Sequence, residues 1–497
     1  MPHIHLGVFV VLYLACQIAL GLYLARFVKS QDDFFLAGRS MGLVPIALSI
    51  FATWFGAETI MGSTGAIAAE GMAGARAEPF GYGLCLIAMG FTIAGIFRAR
   101  GYLNLADFFA KRFSHASELA TALITILVST IWAAAQLLAL AALLKTAVGV
   151  PVQLTLIVAM GAVVAYTTFS GIVGDIWTDM VHNVVLVAGL LAVLFALASH
   201  MGGFSAMIGS IEPEQLRLVG PDEHWLGRID TWAIPILGSL VTQEVIARVL
   251  TTKSPAIARN ATLSAGALYL LMGCVPLLIA LAGVHAFPVG DDTDSFLPTV
   301  AESVLPPMLY ILFAGALLSA VMSVTNANVL SVSSMMAINV VGRLRPNATE
   351  KDKIRVARFT TFGAGIGAYL IASSGQSIYE LIALTSVWGQ AGILVAVLFG
   401  LWSEYGGKRA ALWAILVCMA VNLWTLAIAP MLALIGGAHP ASFGEAFSQL
   451  VAGEAPTMEG YFLLSVIASI IAYAVGAEFD KRAAAVPAPI DAPAKSD

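Results

Sequence analysis

Apolar runs of about twenty residues, the length a helix needs to cross a bilayer, recur along the chain with short polar loops between them. Read with a window of about 19 residues, they predict thirteen spans, near 5–27, 42–66, 79–98, 117–146, 151–171, 176–199, 231–251, 261–287, 306–340, 354–374, 378–402, 409–436 and 460–477. The pattern is that of an all-α polytopic membrane protein. Because the count is odd, the two termini lie on opposite sides.

One run departs from the plain apolar pattern. In Leu43–Gly71 the stretch Ala52-Thr53-Trp54-Phe55-Gly56-Ala57-Glu58-Thr59 places a glycine, two threonines and a carboxylic acid within about two turns. A carboxylate at mid-membrane depth costs about 3 kcal/mol or more unless it meets a partner or water. Broken, polar-centred spans are how many transporters build ion and substrate sites. Spans two to six and seven to eleven form two groups of five. An odd-sized repeat inserts in opposite orientations, so the halves, about 42–199 and 231–402, are expected to form an inverted repeat. Each half should open on an interrupted helix, the first at Gly56 and the second at Pro235 and Gly238.

Loop charges give an orientation. Arg26, Lys29 and Arg39 follow span one; Arg98, Arg100, Lys111 and Arg112 follow span three; Arg343, Arg345, Lys351 and Lys353 follow span nine. The alternate loops carry Glu212, Glu214, Asp222 and Glu223, then Asp291, Asp292 and Asp294, then Glu445 and Glu454. The positive-inside rule predicts an outside N-terminus and a cytoplasmic C-terminus in a cell inner (plasma) membrane.

The 497 residues are 59% hydrophobic and 11% charged, against about 25% charged in soluble domains. The length is used up by spans, so residues 1–482 are read as one membrane domain and the Ala/Pro-rich 483–497 as a disordered cytoplasmic tail. The start lacks the basic region and cleavage site of a signal peptide and is read as a retained first span. Cys16, Cys85, Cys274 and Cys418 are too dispersed for a disulfide framework or a metal site. Without a Walker A sequence, a filter repeat or a nucleic-acid signature, the chain reads as neither an ATP-driven pump, a channel, a nucleic-acid binder nor an enzyme. A membrane sensor or transceptor is the reading from another class, and no kinase follows residue 482 to support it.

Four stretches carry a family likeness. Asp33–Ser40 (DFFLAGRS), Leu103–Phe113 (LNLADFFAKRF), Gly171–His182 (GIVGDIWTDMVH) and Gly315–Ser334 (GALLSAVMSVTNANVLSVSS) resemble, in this order, motifs of the sodium:solute symporter family. The resemblance implies a LeuT-type fold: ten core helices in a 5+5 inverted repeat, with one extra helix before and two after. It implies sodium-driven uptake of a small organic solute by alternating access. Monocarboxylates, amino acids such as proline and other small metabolites all fit. Oligomeric state is not indicated.

The same resemblance places the coupling ion between spans two and nine, facing the carbonyls of Ala52 and Phe55. On span nine the family has two adjacent hydroxyls; here Ser323 is followed by Val324. Thr325 cannot substitute, because one helical step turns a side chain by about 100°. Either water or Asn326 completes the sodium shell, or the protein couples to protons instead. Asp179 matches a family acid on the ion's inward path; the structural alternative is a helix N-terminal acid near an arginine. His182 is read as structural or titrating. Three readings of Glu58 stay open: substrate or ion ligand, protonatable coupling group, or neutral structural acid. The substrate candidates are Trp54, Phe55, Glu58, Thr59, Trp132, Gln136, Trp232 and Gln243. Glu244 and Arg248, spaced i, i+4, are expected to pair with each other.

Overall fold

The structure is a computed structural model that describes residues 12, 15, 16, 19, 23, 25–75, 78–148, 151–221, 223–290, 293–345, 347–373, 385, 387–436 and 460–485. Inside a bilayer no water satisfies the backbone, so apolar runs fold as helices. Among the described residues there is no strand, only a bridge between Met41 and Thr252.

In chain order the main helices are α1 (Leu43–Trp54), α2 (Ser63–Glu70), α3 (Phe80–Arg100), α4 (His115–Val148) and α5 (Val152–His200). The second half has α6 (Trp225–Ala233), α7 (Gln243–Leu250), α8 (Pro255–Gly283), α9 (Pro307–Ser334), α10 (Glu350–Ala372) and α11 (Gln390–Trp402). Last come α12 (Lys408–Leu423) and α13 (Tyr461–Ala485). Among the described residues, eight helical segments are long and apolar enough to cross a membrane, or nine when a bent pair is taken as one span. That pair is α1 with Glu58–Gly74, bent by 60°. The predicted first span lies largely outside the described residues, as do positions 374–384 at the start of the eleventh.

Both predicted interruptions are present. α1 stops at Trp54, and the chain re-enters a helix through a wide turn over Glu58–Gly62. The second half opens with α6, a wide turn over Ile234–Gly238, an extended Thr242 and then α7. The expected tail begins slightly early, since α13 runs to Ala485; residues 486–497 lie outside the described part.

α5 has 49 residues, about 74 Å at 1.5 Å per residue and more than twice the hydrocarbon thickness. It therefore has to turn, and it turns at Gly171, with φ 55° and ψ −163°. The two predicted spans 151–171 and 176–199 are the two arms. A Cβ at Gly171 would lie 2.8 Å from the Phe34 carbonyl oxygen, in a backbone region open essentially to glycine alone. Gly171→Ala is expected to lower stability by about 1–3 kcal/mol, read as a lower melting temperature of the detergent-purified protein. An unchanged melting temperature would show that the turn is not needed.

The burial pattern is that of a membrane protein. Large apolar side chains point outward, with Phe359 76% and Phe91 68% exposed. Polar side chains turn inward: Ser49, Thr53, Asp175 and Asp179 are fully buried.

Candidate functional site

The site is built around the gap between α1 and the Glu58–Gly62 turn. An unbroken helix would bond the Gly56 N–H to the Ala52 carbonyl; here it bonds to the Trp54 carbonyl at 2.8 Å. The break therefore takes Ala52 out of its regular bonding, as a carbonyl-based ion site requires. α9 presses against this point. A Cβ on Gly56 would lie 2.6 Å from Val324 Cγ2 and 3.1 Å from Gln136 Oε1, so only glycine lets the two spans approach this closely. Val324, where the family resemblance leads one to expect a hydroxyl, fills the space beside the break. Gln136, taken from the sequence as a substrate candidate, accepts the Ala57 N–H at 3.3 Å and steadies the half-helix that follows the break.

Below the break lies a polar network. Asp179 on α5 accepts hydrogen bonds from Ser49 Oγ at 2.5 Å and from Ser323 Oγ. Arg248 on α7 donates from Nε to Ser49 at 2.9 Å, pairs with Asp175 and stands 3.5 Å from Asp179. All these side chains are buried. Two readings are corrected here, and Ser323 bonds a carboxylate on another helix. Asp179 lies two turns past the Gly171 break, not at a helix N-terminus. Arg248 does not pair with the Glu244 carboxylate: that group accepts from Ser129 on α4, and Arg248 reaches only the Glu244 backbone carbonyl, at 3.2 Å. Asn326 accepts from Thr167 on α5. His182 is buried on α5 close after Asp179.

Above the break is a second cluster, aromatic and acidic. Trp54, Tyr82 on α3 and Trp132 on α4 form a triad. The Trp54–Tyr82 ring centroids are 5.1 Å apart, and Trp132 stacks at 6.3 Å from Trp54 and 6.4 Å from Tyr82. Neither indole Nε1 has a partner among the described residues. The Tyr82 hydroxyl donates to Glu58 Oε1 at 3.5 Å. Thr59 Oγ1 lies 2.6 Å from Glu78 Oε1 and 2.7 Å from the Tyr269 hydroxyl, which itself donates to Glu78. Phe55 packs edge-on against the Tyr269 ring at 5.3 Å.

Trp54, Phe55, Glu58, Thr59 and Trp132 are thus brought together. Two candidates are not. The Gln243 side-chain Oε1 accepts the Leu105 N–H at 2.9 Å, within the packing around Arg248. Trp232 stacks on Phe80 at 6.2 Å and lines a separate apolar pocket with Trp225 and Leu463. Sequence reasoning missed Glu78, Tyr82 and Tyr269. Glu78 stands at a span edge before a proline, where an acid is unremarkable, and the tyrosines read as packing. It also missed Asp175, although Asp175 and Asp179 at i, i+4 in an apolar run signal a buried cation nearby.

The profile of the sodium:solute symporter family matches residues 34–418. The chain belongs to this family. High-affinity choline transporter 1 of Drosophila melanogaster is 30% identical over 396 residues, 76% of this symporter-family chain and 63% of that protein. The human high affinity choline transporter 1 is 29% identical over 378 residues, 72% of this chain and 64% of that one. The match thus spans slightly under two thirds of these transporters' own length. The osmoregulated proline transporter OpuE of Bacillus subtilis is 24% identical over 446 residues, 84% of this chain and 87% of that one. Among solved structures, a Na+-coupled sialic acid symporter in a substrate-bound outward-open state superposes with a TM-score of 0.76 at 19% identity, covering 96% of this chain and 98% of that one. Mhp1, a nucleobase-cation-symport-1 family transporter in a closed conformation, gives 0.58 at 15% identity, covering 90% and 95%. The symporter-family chain therefore has the LeuT-type fold of these transporters, and it is a multi-pass membrane protein.

Proposed function

We propose that this protein is an ion-coupled symporter of a small organic cation with a choline-like ammonium head. The observation that carries this reading is the Trp54–Tyr82–Trp132 triad beside two buried carboxyl groups, Glu58 and Glu78. Aromatic faces attract a desolvated cation by about 2 kcal/mol each, and quaternary ammonium groups are typical guests. Among the described residues no basic side chain pairs with Glu58 or Glu78. A neutral or anionic solute would leave that buried charge uncompensated. The choline transporters among its relatives support the same class.

Sodium is the coupling ion in this reading, held by the Ala52 and Phe55 carbonyls and Ser323, with Asp179 on its inward path. Ion and solute together stabilise one outward-open state, and the halves 42–199 and 231–402 then rock to open inward, with the N-terminus outside and the C-terminus in the cytoplasm. Val324 favours a second reading, in which the sodium shell is short of one hydroxyl and a proton on Glu58 drives transport.

The test is thermal stability of the purified protein with choline and with its neutral isostere 3,3-dimethyl-1-butanol, in sodium and in potassium at matched ionic strength. A ligand that binds only the folded state stabilises it by RT ln(1 + [L]/Kd). Choline is expected to raise the melting temperature more in sodium than in potassium, and the isostere to leave it unchanged. Equal effects of choline and the isostere would sink the cation reading. A choline effect indifferent to sodium but dependent on pH would favour protons.

A further inference from the structure

Several cations of the basic loops are neutralised in pairs. Lys111 meets Asp107 at 2.7 Å, Arg343 meets Glu118 at 2.7 Å, Lys353 meets Glu350 at 2.8 Å and Lys481 meets Glu478 at 2.9 Å. One group is not. Arg39 before α1, Arg98 at the end of α3, Lys253 after α7 and Arg259 on α8 converge, and among the described residues none has a carboxylate within ion-pairing distance.

Backbone and side-chain contacts draw the four together. The Met41 N–H donates to the Thr251 carbonyl at 3.1 Å and the Lys253 N–H to the Met41 carbonyl at 3.0 Å, joining the loop before α1 to the loop after α7. Arg98 donates to the Thr252 carbonyl, and to the Lys253 carbonyl at 3.4 Å. Arg39 ends a run of three left-handed residues, with φ 53°, a conformation unfavourable to any side chain. Its Nη2 reaches the Gly101 and Tyr102 carbonyls at 3.1 and 3.2 Å, one turn beyond Arg98, and the two guanidinium charges repel each other. A Cβ at Gly95, three residues before Arg98, would lie 3.8 Å from the Arg259 Cβ.

We infer that Arg39, Arg98, Lys253 and Arg259 bind the phosphate headgroup of an anionic phospholipid, in the leaflet that faces the basic loops.

The charges call for an anion. The carbonyl ends of α3 and α7 supply about half a negative charge each, so about three of the four positive charges are left over. Asp33, the acid nearest to Arg39 in sequence, accepts the Lys29 and Ser30 N–H groups at 3.2 and 3.0 Å. Donors are also free: among the described residues Arg39 donates from Nη2, and Arg98 from Nε and Nη2, which leaves Nη1 of both. Phosphate oxygens are the acceptors that guanidinium forks fit, and the exposed Lys253 and Arg259 can close on the same group. The surroundings favour a lipid over a soluble phosphate. α3 and α8 turn Phe91 and Leu271 outward, 68% and 64% exposed. The cluster therefore sits at the rim of a hydrocarbon-facing surface, and a headgroup held there leaves its chains in the bilayer. One lipid would tie together the ends of α1 and α7, the helices that flank the two interruptions.

The experiment separates headgroup, chains and soluble anion. Lipid-depleted full-length protein in a neutral maltoside detergent is melted with rising dioleoylphosphatidylglycerol, with dioleoylphosphatidylethanolamine, and with inorganic phosphate at matched ionic strength. A ligand of the folded state raises the melting temperature with its occupancy. Phosphatidylglycerol is expected to raise it to saturation, and the other two to leave it unchanged. Each cation near an anionic lipid surface is worth about fivefold in affinity, so Lys253→Gln/Arg259→Gln should bind phosphatidylglycerol about 25-fold more weakly. Lys351→Gln/Lys408→Gln removes two exposed cations from other basic loops and should bind like wild type. Lipid-free melting temperatures establish that the variants are folded; if the first double variant does not fold, Lys253→Gln alone, about fivefold weaker, carries the test. No response of wild type to phosphatidylglycerol, an equal response to phosphatidylethanolamine, undiminished affinity in Lys253→Gln/Arg259→Gln, or an equal loss in Lys351→Gln/Lys408→Gln would each overturn the site. An equal response to inorganic phosphate would overturn the lipid as its occupant.

Discussion

Arg248→Met is expected to cost about 3–5 kcal/mol of stability, the loss typical of breaking a buried ion pair by removing one partner. Arg248 is 1% exposed, and Asp175 and Asp179 are fully buried. One guanidinium joins α7 to α5 through Asp175 and to α1 through Ser49. Methionine fills much of the volume but leaves two carboxyls in low dielectric without a cation. Lysine restores the charge yet lacks the planar fork that serves Asp175, Ser49 and the Glu244 carbonyl at once, so Arg248→Lys should recover only part of the loss. Asp175→Asn in the Arg248→Met background should recover more, because it removes one of the stranded charges. Thermal unfolding of the four proteins in detergent checks this. If Arg248→Met melts with wild type, the network holds nothing together.

The second large effect is on solute binding. The double variant Trp54→Leu/Trp132→Leu removes two aromatic faces, at about 2 kcal/mol each, and choline affinity should fall by roughly a thousandfold, since 1.4 kcal/mol is a factor of ten. Glu58→Gln keeps the shape and the Tyr82 hydrogen bond but removes the charge; it should weaken choline at least about tenfold, the scale of a charge-assisted contact. Isothermal titration or scintillation proximity binding distinguishes the two roles. A Glu58→Gln protein that binds choline like wild type would make Glu58 a neutral structural acid, the third of its open readings. A double leucine variant that still binds choline tightly would move the solute site elsewhere, and the apolar pocket lined by Trp225 and Trp232 would be the next place to look.

Parts of the site were visible in the residues. A glycine and a glutamate inside an apolar run announce a broken span, because each is costly in a plain transmembrane helix. Trp54 and Trp132 were both among the substrate candidates. Gln136 lies beside the break, where its side-chain oxygen accepts the Ala57 N–H. Glu244 and Arg248 show the limit of local rules. The i, i+4 spacing puts them within reach, but Ser129 takes the carboxylate and Asp175 the guanidinium.

The order of residues alone was enough to set the class of the molecule, the two places where its helices are interrupted, and its family likeness. These are local properties: a hydrocarbon interior demands helices of fixed length, and glycine, proline or an acid interrupts them wherever the surroundings lie. Which buried polar groups meet was settled in three dimensions. Folding put Glu78 and Tyr269, 191 positions apart, in one hydrogen bond, and gave Arg248 to α5. A buried charge is stabilised by whatever opposite charge or dipole is nearest in space, and in a core of many helices that neighbour comes from a distant part of the chain.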